Sequence, residues 1–200
     1  RGVTTICGTT IEEFVRMRDN WKNTLIKSFL SKADNRIEVL PNNSYSLLGL
    51  SLEGRGLFVR EQKLGSEISS NYLNRIIPGQ FIYSRLFAWK GAFDFTREEF
   101  SNTYVSNEFP AFEIDKNKVN LKFLYYYFLQ PKIWDEVEQY CMGVTKASRN
   151  RFKEEYFLNL KIPLPPLSEQ KRIAAKIESI KGKIEAIQKI RTEQEKEMEN

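Results

Sequence analysis

The residues in this chain that could do chemistry are mostly cations set among aromatic rings. Arg55, Arg60, Lys63, Arg85 and Lys90 lie among Phe58, Tyr83, Phe87 and Trp89, and Lys146, Arg149 and Arg151 cluster beside Gly143 and Phe152. Phosphates need cations, and base edges are read by arginine forks or amide side chains, so both groups are candidates for nucleic-acid contact. Nearby acids, Glu53, Glu61 and Glu67, leave the first group open to a plainer reading as a solvated face. Catalytic patterns are scarcer. The chain has no histidine, which removes the commonest general base and any His-containing metal site. It carries no GxGxxG, P-loop, HExxH or GxSxG. Two Glu-x-Lys triplets, Glu61-Gln62-Lys63 and Glu169-Gln170-Lys171, lack the preceding Pro-Asp that would supply a second metal carboxylate. Leu164-Pro165-Pro166-Leu167 has the middle of the Asn-Pro-Pro-Tyr loop of amino-methyltransferases but neither functional end. No catalytic residue, metal site or cofactor is expected. Cys7 and Cys141 stand too far apart in sequence for a CxxC clip, and either suits a buried small hydrophobe.

Charge is unevenly distributed. Lysine and arginine total 31 against 26 acids, a net of +5. Residues 141–176 hold eight basic and three acidic side chains, so the whole excess can be placed there, whereas 177–200 mix both signs as a solvated helix face does. The longest apolar run, FLYYYFL at Phe123–Leu129, is far short of the roughly 18 to 20 residues of a spanning helix. With no N-terminal signal pattern, the chain is expected to be soluble and cytoplasmic, without membrane contact. Arg1 at the start and a charged, uncapped end predict a piece of something longer.

The elements that must position these residues predict an α+β fold: a β-rich domain with a few helices, then a long coiled-coil helix. Residues 1–20 form an N-terminal extension, where the capping-box spacing of Thr10 to Glu13 predicts a short helix toward Arg18. Residues 21–161 form the domain. From Trp21 to Glu113 short apolar stretches are punctuated by Gly, Asn, Ser and Pro, and Ile77-Pro78-Gly79-Gln80 suits a type II turn. Leu121, Leu124, Tyr125 and Phe128 then fall at helical spacing, and Pro131 suits the first turn of a second helix. Three prolines in residues 162–167 predict a stiff extended linker. Ser168 is the expected N-cap of a helix over 168–200. There Ile173, Ile177, Ile180, Ile184 and Ile187 are spaced alternately by four and three, a coiled-coil seam on a rod of about 45 Å at 1.5 Å per residue. Such a stripe needs a covering partner, from this chain, a second copy or another protein.

The segment IPLPPLSEQKRIAAKIE (Ile162–Glu178) resembles the junction between a target recognition domain and a conserved helix in the specificity (S) subunits of type I restriction-modification systems. Upstream, Ser46–Ile68, Pro78–Phe93, Tyr104–Asp115 and the run Ser148-Arg149-Asn150-Arg151-Phe152 after Gly143 resemble successive landmarks of one recognition domain of that family. The resemblance covers roughly Trp21 to Lys189. It implies a non-catalytic, double-stranded DNA-binding specificity subunit in a system of defence against foreign DNA. In such a subunit, two recognition domains held apart by antiparallel helices read the halves of a split site. The modification (methyltransferase) subunits methylate adenine and the restriction subunits cut. One domain and one helix are present here where a complete subunit has two of each. This leaves half of a longer subunit, a half-subunit that dimerises through its helix, or the recognition portion of a fused methyltransferase-specificity (type IIG-like) enzyme. An independent nuclease or methyltransferase would need a site that the sequence lacks, and a non-DNA coiled-coil adaptor would leave the β-rich domain unexplained.

Overall fold

The computed structural model describes residues 5–6, 9–10, 21–141 and 151–198, with side chains described over 21–141 and 151–195. The expected helix toward Arg18, Cys7, Lys146 and Arg149 lie outside the described residues. In chain order the strands are β1 (Thr5–Ile6), β2 (Thr9–Thr10), β3 (Lys22–Leu25), β4 (Leu30–Lys32), β5 (Arg36–Glu38), β6 (Ser44–Ser51), β7 (Gly56–Leu64), β8 (Tyr72–Arg75), β9 (Phe81–Tyr83), β10 (Phe93–Phe95), β11 (Tyr104–Val105) and β12 (Ala111–Ile114). Then come helices α1 (Leu121–Phe128), α2 (Pro131–Gln139) and α3 (Glu154–Asn159), strand β13 (Lys161–Leu164) and helix α4 (Leu167–Met198). The fold is α+β, a β-rich domain followed by one long helix.

Two sheets carry the domain. One is antiparallel in the order β10-β9-β12-β4, the other runs β5-β8-β11-β6-β7 with β11 parallel to β6. The period of two along β9 divides the interior. Phe81 and Tyr83 face a core with Phe93, Phe112, Phe128, Phe152 and Phe157, while Ile82 between them joins Leu48, Leu50, Leu57, Ile76 and Val105. The first core is aromatic at its centre, with Phe81 and Phe157 stacked at 5.8 Å and Tyr83 and Phe112 at 5.9 Å. Tyr83 donates its hydroxyl to the Phe152 carbonyl at 3.1 Å, so its polar end is satisfied inside the core.

Local chemistry explains the element ends. The Asn120 side chain accepts from the Phe123 amide and starts α1, and Pro131 opens α2. Gly79 takes φ 89° in the Pro78-Gly79 turn, as a type II turn requires. Gly91, at φ 74°, also leaves room for the Trp134 ring, whose atoms would lie 2.4 Å from an added Cβ.

At the C-terminal end the structure departs from the sequence reading. The proline segment takes an extended path, but through Leu164 it is strand β13, hydrogen-bonded antiparallel to β3, with Ile162 buried in the first core. Pro163 is tolerated because this sheet has only two strands. Ser168 is not the cap of α4. The helix begins at Leu167, and the Pro166 carbonyl accepts from the amides of Glu169 and Gln170. The junction is therefore a rigid joint. Gln170, fully buried, accepts from the Asn120 amide at 2.8 Å and donates Nε2 to the carbonyls of Lys118 at 3.0 Å and Pro165 at 2.8 Å. One turn on, Ala174 is buried, and Glu178 takes an ion pair from Lys122 and a hydrogen bond from the Tyr126 hydroxyl of α1.

Candidate nucleic-acid interface

The loop 106–110 between β11 and β12 gathers cations from distant parts of the chain. Just beyond β9, the Arg85 amide donates to the Glu108 carbonyl at 2.9 Å, and the Arg85 carbonyl accepts from the Phe152 amide at 2.9 Å. These backbone bonds bring Arg85, Glu108 and the Arg151–Glu154 segment side by side. A hollow of about 470 Å³ is lined there by Arg85, Glu108, Arg151, Lys153, Glu154 and Glu155. A second, of about 410 Å³, shares Arg85 and is lined also by Lys32, Arg36, Asn35, Asn74 and Asn107. A third surface on this loop, through Ser106 and Phe109, holds Arg60 and Lys63. The register of β6 and β7 passes from Leu48↔Val59 to Leu47↔Glu61, so Arg60 is the extra residue of a β-bulge. A bulge turns a side chain away from its regular face.

Carboxylates hold these cations in place. Arg85 forks onto Glu154, with Nε to Oε2 at 2.9 Å and Nη2 to Oε1, and Lys32 approaches the same carboxylate at 3.0 Å. Burial alone would raise the Glu154 carboxyl, but the hydrogen bonds from Arg85 and Lys32 outweigh it and hold it at about 2. Arg151 forks onto Glu108 at 3.2 and 2.7 Å. Glu61 stands between Arg60 at 2.5 Å and Lys63 at 3.2 Å, and their hydrogen bonds, that of Lys63 foremost, hold its carboxyl below the usual range.

Of the residues singled out from the sequence, Arg85 and Arg151 thus meet at one rim, while Arg60 and Lys63, on β7, line the third surface with Ser106 and Phe109 of the same loop. Arg55 and Lys90 are brought together by a different contact, in which the amides of Glu53 and Gly54 donate to the carbonyls of Lys90 and Gly91. There Arg55 pairs with Glu53 at 3.5 Å and the Lys90 ammonium lies 4.6 Å from the centre of the Trp89 ring. Sequence reasoning missed Lys32, Asn35, Arg36, Asn74 and Asn107. Their only mark was a residue type suited to base edges or phosphates, without spacing to join them.

The isoleucine seam divides in two. Ile173 and Ile177 are half-buried where α4 runs along α1, so this chain itself partly covers them. Ile180, Ile184 and Ile187 are exposed, and the exposed Ile190, three residues beyond Ile187 where the alternation of four and three would next fall on Arg191, borders the open stripe. Among the described residues no cluster of acids and cysteines could hold a metal ion, and no helix is long and apolar enough to cross a membrane.

An α+β domain with a cation-lined loop cluster and a rigidly joined helix bearing an open apolar stripe defines the class. Residues 60–196 match the family described as the type I restriction modification DNA specificity domain, and the chain belongs to that family. Solved structures share the fold. The HsdS subunit from Thermoanaerobacter tengcongensis superposes with a TM-score of 0.70 at 17% identity, over 86% of this chain and 45% of its own. A chain from a structure of the type I R-M system, described for its complex assembly and conformational transition, gives 0.65 at 18% identity, over 90% and 46%. The type I restriction-modification S subunit from M. genitalium gives 0.53 at 16%, over 84% and 40%. The chain therefore spans less than half the length of these structures. No curated protein is similar in sequence at a significant level.

Proposed function

We propose that this chain serves as a DNA sequence-specificity subunit, or half-subunit, of a type I restriction-modification enzyme. It binds one half of a bipartite double-stranded site through the loop 106–110 and its flanking hollows. It is itself without catalysis or cofactor, and it acts in the cytoplasm, where the DNA is. The observation that carries this reading is the meeting of Arg85 and Arg151, from separate segments, at one rim with Lys32, Lys153 and three asparagines. Guanidinium forks and amides are the groups that read guanine and adenine edges, and lysines suit phosphates. The open stripe from Ile180 to Ile190 supports a second role, in which α4 pairs with a second recognition half or copy and with the methyltransferase subunit, and so brings the modification and restriction subunits to the site. The test is selection from a randomised duplex pool, with and without the modification subunit. An enriched sequence is expected, and the Arg85→Ala, Arg151→Ala double variant should bind it more weakly. Its slope of log K against log salt should be smaller by about 0.9 for each phosphate that the variant no longer neutralises. Unchanged affinity and slope in that variant would remove the interface from this loop.

A further inference from the structure

Lys32, Arg60, Lys63, Arg85 and Arg151 on this face are already paired with carboxylates. A carboxylate that accepts both N–H groups of a guanidinium edge takes the positions that a phosphate, or the O6 and N7 of guanine, would take. Glu154 does this to Arg85 and Glu108 to Arg151, and Glu61 bridges Arg60 and Lys63. Fold stability is a weak reason for the outer pairs, because the side chains of Arg60 and Arg151 remain about half exposed, where ion pairs contribute little. The acids also change the field that DNA meets. Five cations and four carboxylates line the two main hollows, so this basic chain is nearly neutral where it would touch DNA.

Resting on the reading of this loop as the DNA face, we propose that Glu61, Glu108 and Glu154 form an electrostatic brake: intramolecular stand-ins for DNA acceptors that a duplex must displace before it can bind. Random-sequence DNA brings phosphates but few base acceptors in register, so it recovers little of what it displaces. A duplex that fills the forks together replaces each carboxylate with an acceptor of equal geometry and adds its base contacts. The acids thus raise discrimination by lowering non-specific binding. Of the two carboxylates that fork onto an arginine, Glu108 is the better suited to release its partner, its side chain being 27% exposed against 16% for Glu154, so that the freed carboxylate can turn to water.

Glu108→Gln removes the charge and keeps the shape. Full-length protein is titrated by fluorescence anisotropy with a short random-sequence duplex and with the duplex enriched from the pool, each over a salt series, and thermal unfolding confirms that the variant is folded. Random-duplex affinity should rise roughly fivefold, the effect of one unit charge at about 4 Å in water, with a steeper salt dependence. The enriched duplex should gain less, so the ratio of the two affinities falls. Random-duplex affinity that stays level or drops overturns the brake, and a drop makes Glu108 a positioning residue for Arg151. Arg151→Ala separates the two levels of failure. If it weakens random-duplex binding while Glu108→Gln does not strengthen it, only the brake is wrong. If neither variant changes binding, the DNA face lies elsewhere and the brake falls with it.

Discussion

Replacing Gln170 with Ala tests the joint between domain and helix. The side chain is fully buried and makes three hydrogen bonds, to the Asn120 amide and the carbonyls of Lys118 and Pro165. Alanine strands a buried donor, which costs about 1–3 kcal/mol, while the carbonyls keep a second lone pair and lose less. Together with the packing removed, the expected destabilisation is about 3 kcal/mol, a large part of the roughly 5–15 kcal/mol of a typical domain. For a chain of this size that lowers the melting midpoint by about 6–12 °C. The assay is thermal unfolding followed by tryptophan fluorescence and near-UV circular dichroism, with limited proteolysis at the junction as a second readout. Gln170→Glu should not rescue stability, because a carboxylate can still accept from Asn120 but cannot donate to the two carbonyls. An alanine variant that melts within about a degree of wild type, with an uncut junction, would refute the claim that this glutamine locks the helix to the domain.

Changing Ile180 and Ile184 to Asp should abolish association through α4 in light scattering while leaving the melting midpoint unchanged, since both side chains are about half exposed and lie beyond the docked part of the helix. Because the folded Glu154 carboxyl is lowered from 4.5 to about 2, its ion pairs stabilise the fold fully above the ordinary carboxylate range and lose that effect as pH falls through the folded value. The stability gap between wild type and Glu154→Gln, measured by urea unfolding, should therefore be full at neutral pH and close between pH 4.5 and about 2. Burial pushes the Cys141 thiol up to about 12, so mass spectrometry should find it unalkylated by iodoacetamide at neutral pH until the protein is unfolded. Gly91→Val should cost about 1–3 kcal/mol in the same urea assay, from a β-branched residue at φ 74° and a Cβ set against the Trp134 ring.

Local patterns determined much of this protein. The short apolar runs from Ser44 to Ile114 became strands because their period and turn residues agree with a pleated, half-buried surface. Asn120 and Pro131 mark helix starts through chemistry that acts within one turn, and the isoleucine spacing commits 180–190 to one open stripe whatever covers it. The tertiary structure decided what lies beyond the reach of a turn. Prolines 163–166 show an extended path in the sequence, but whether that path is a free linker or a strand depends on Lys22–Leu25 at the other end of the chain. Glu169-Gln170-Lys171 is a chance triplet in one dimension, because its middle residue gains meaning only when the segment leading into α1, with Lys118 and Asn120, meets Pro165 beyond the end of β13. Likewise Glu154 counts in sequence only as one of three acids among the eight bases of residues 141–176 and Glu108 carries no mark of its own, and only the fold turns each of them onto an arginine from a distant segment. Charge pairing at about 3 Å is set by where strands and loops meet, and one-dimensional spacing does not encode that distance.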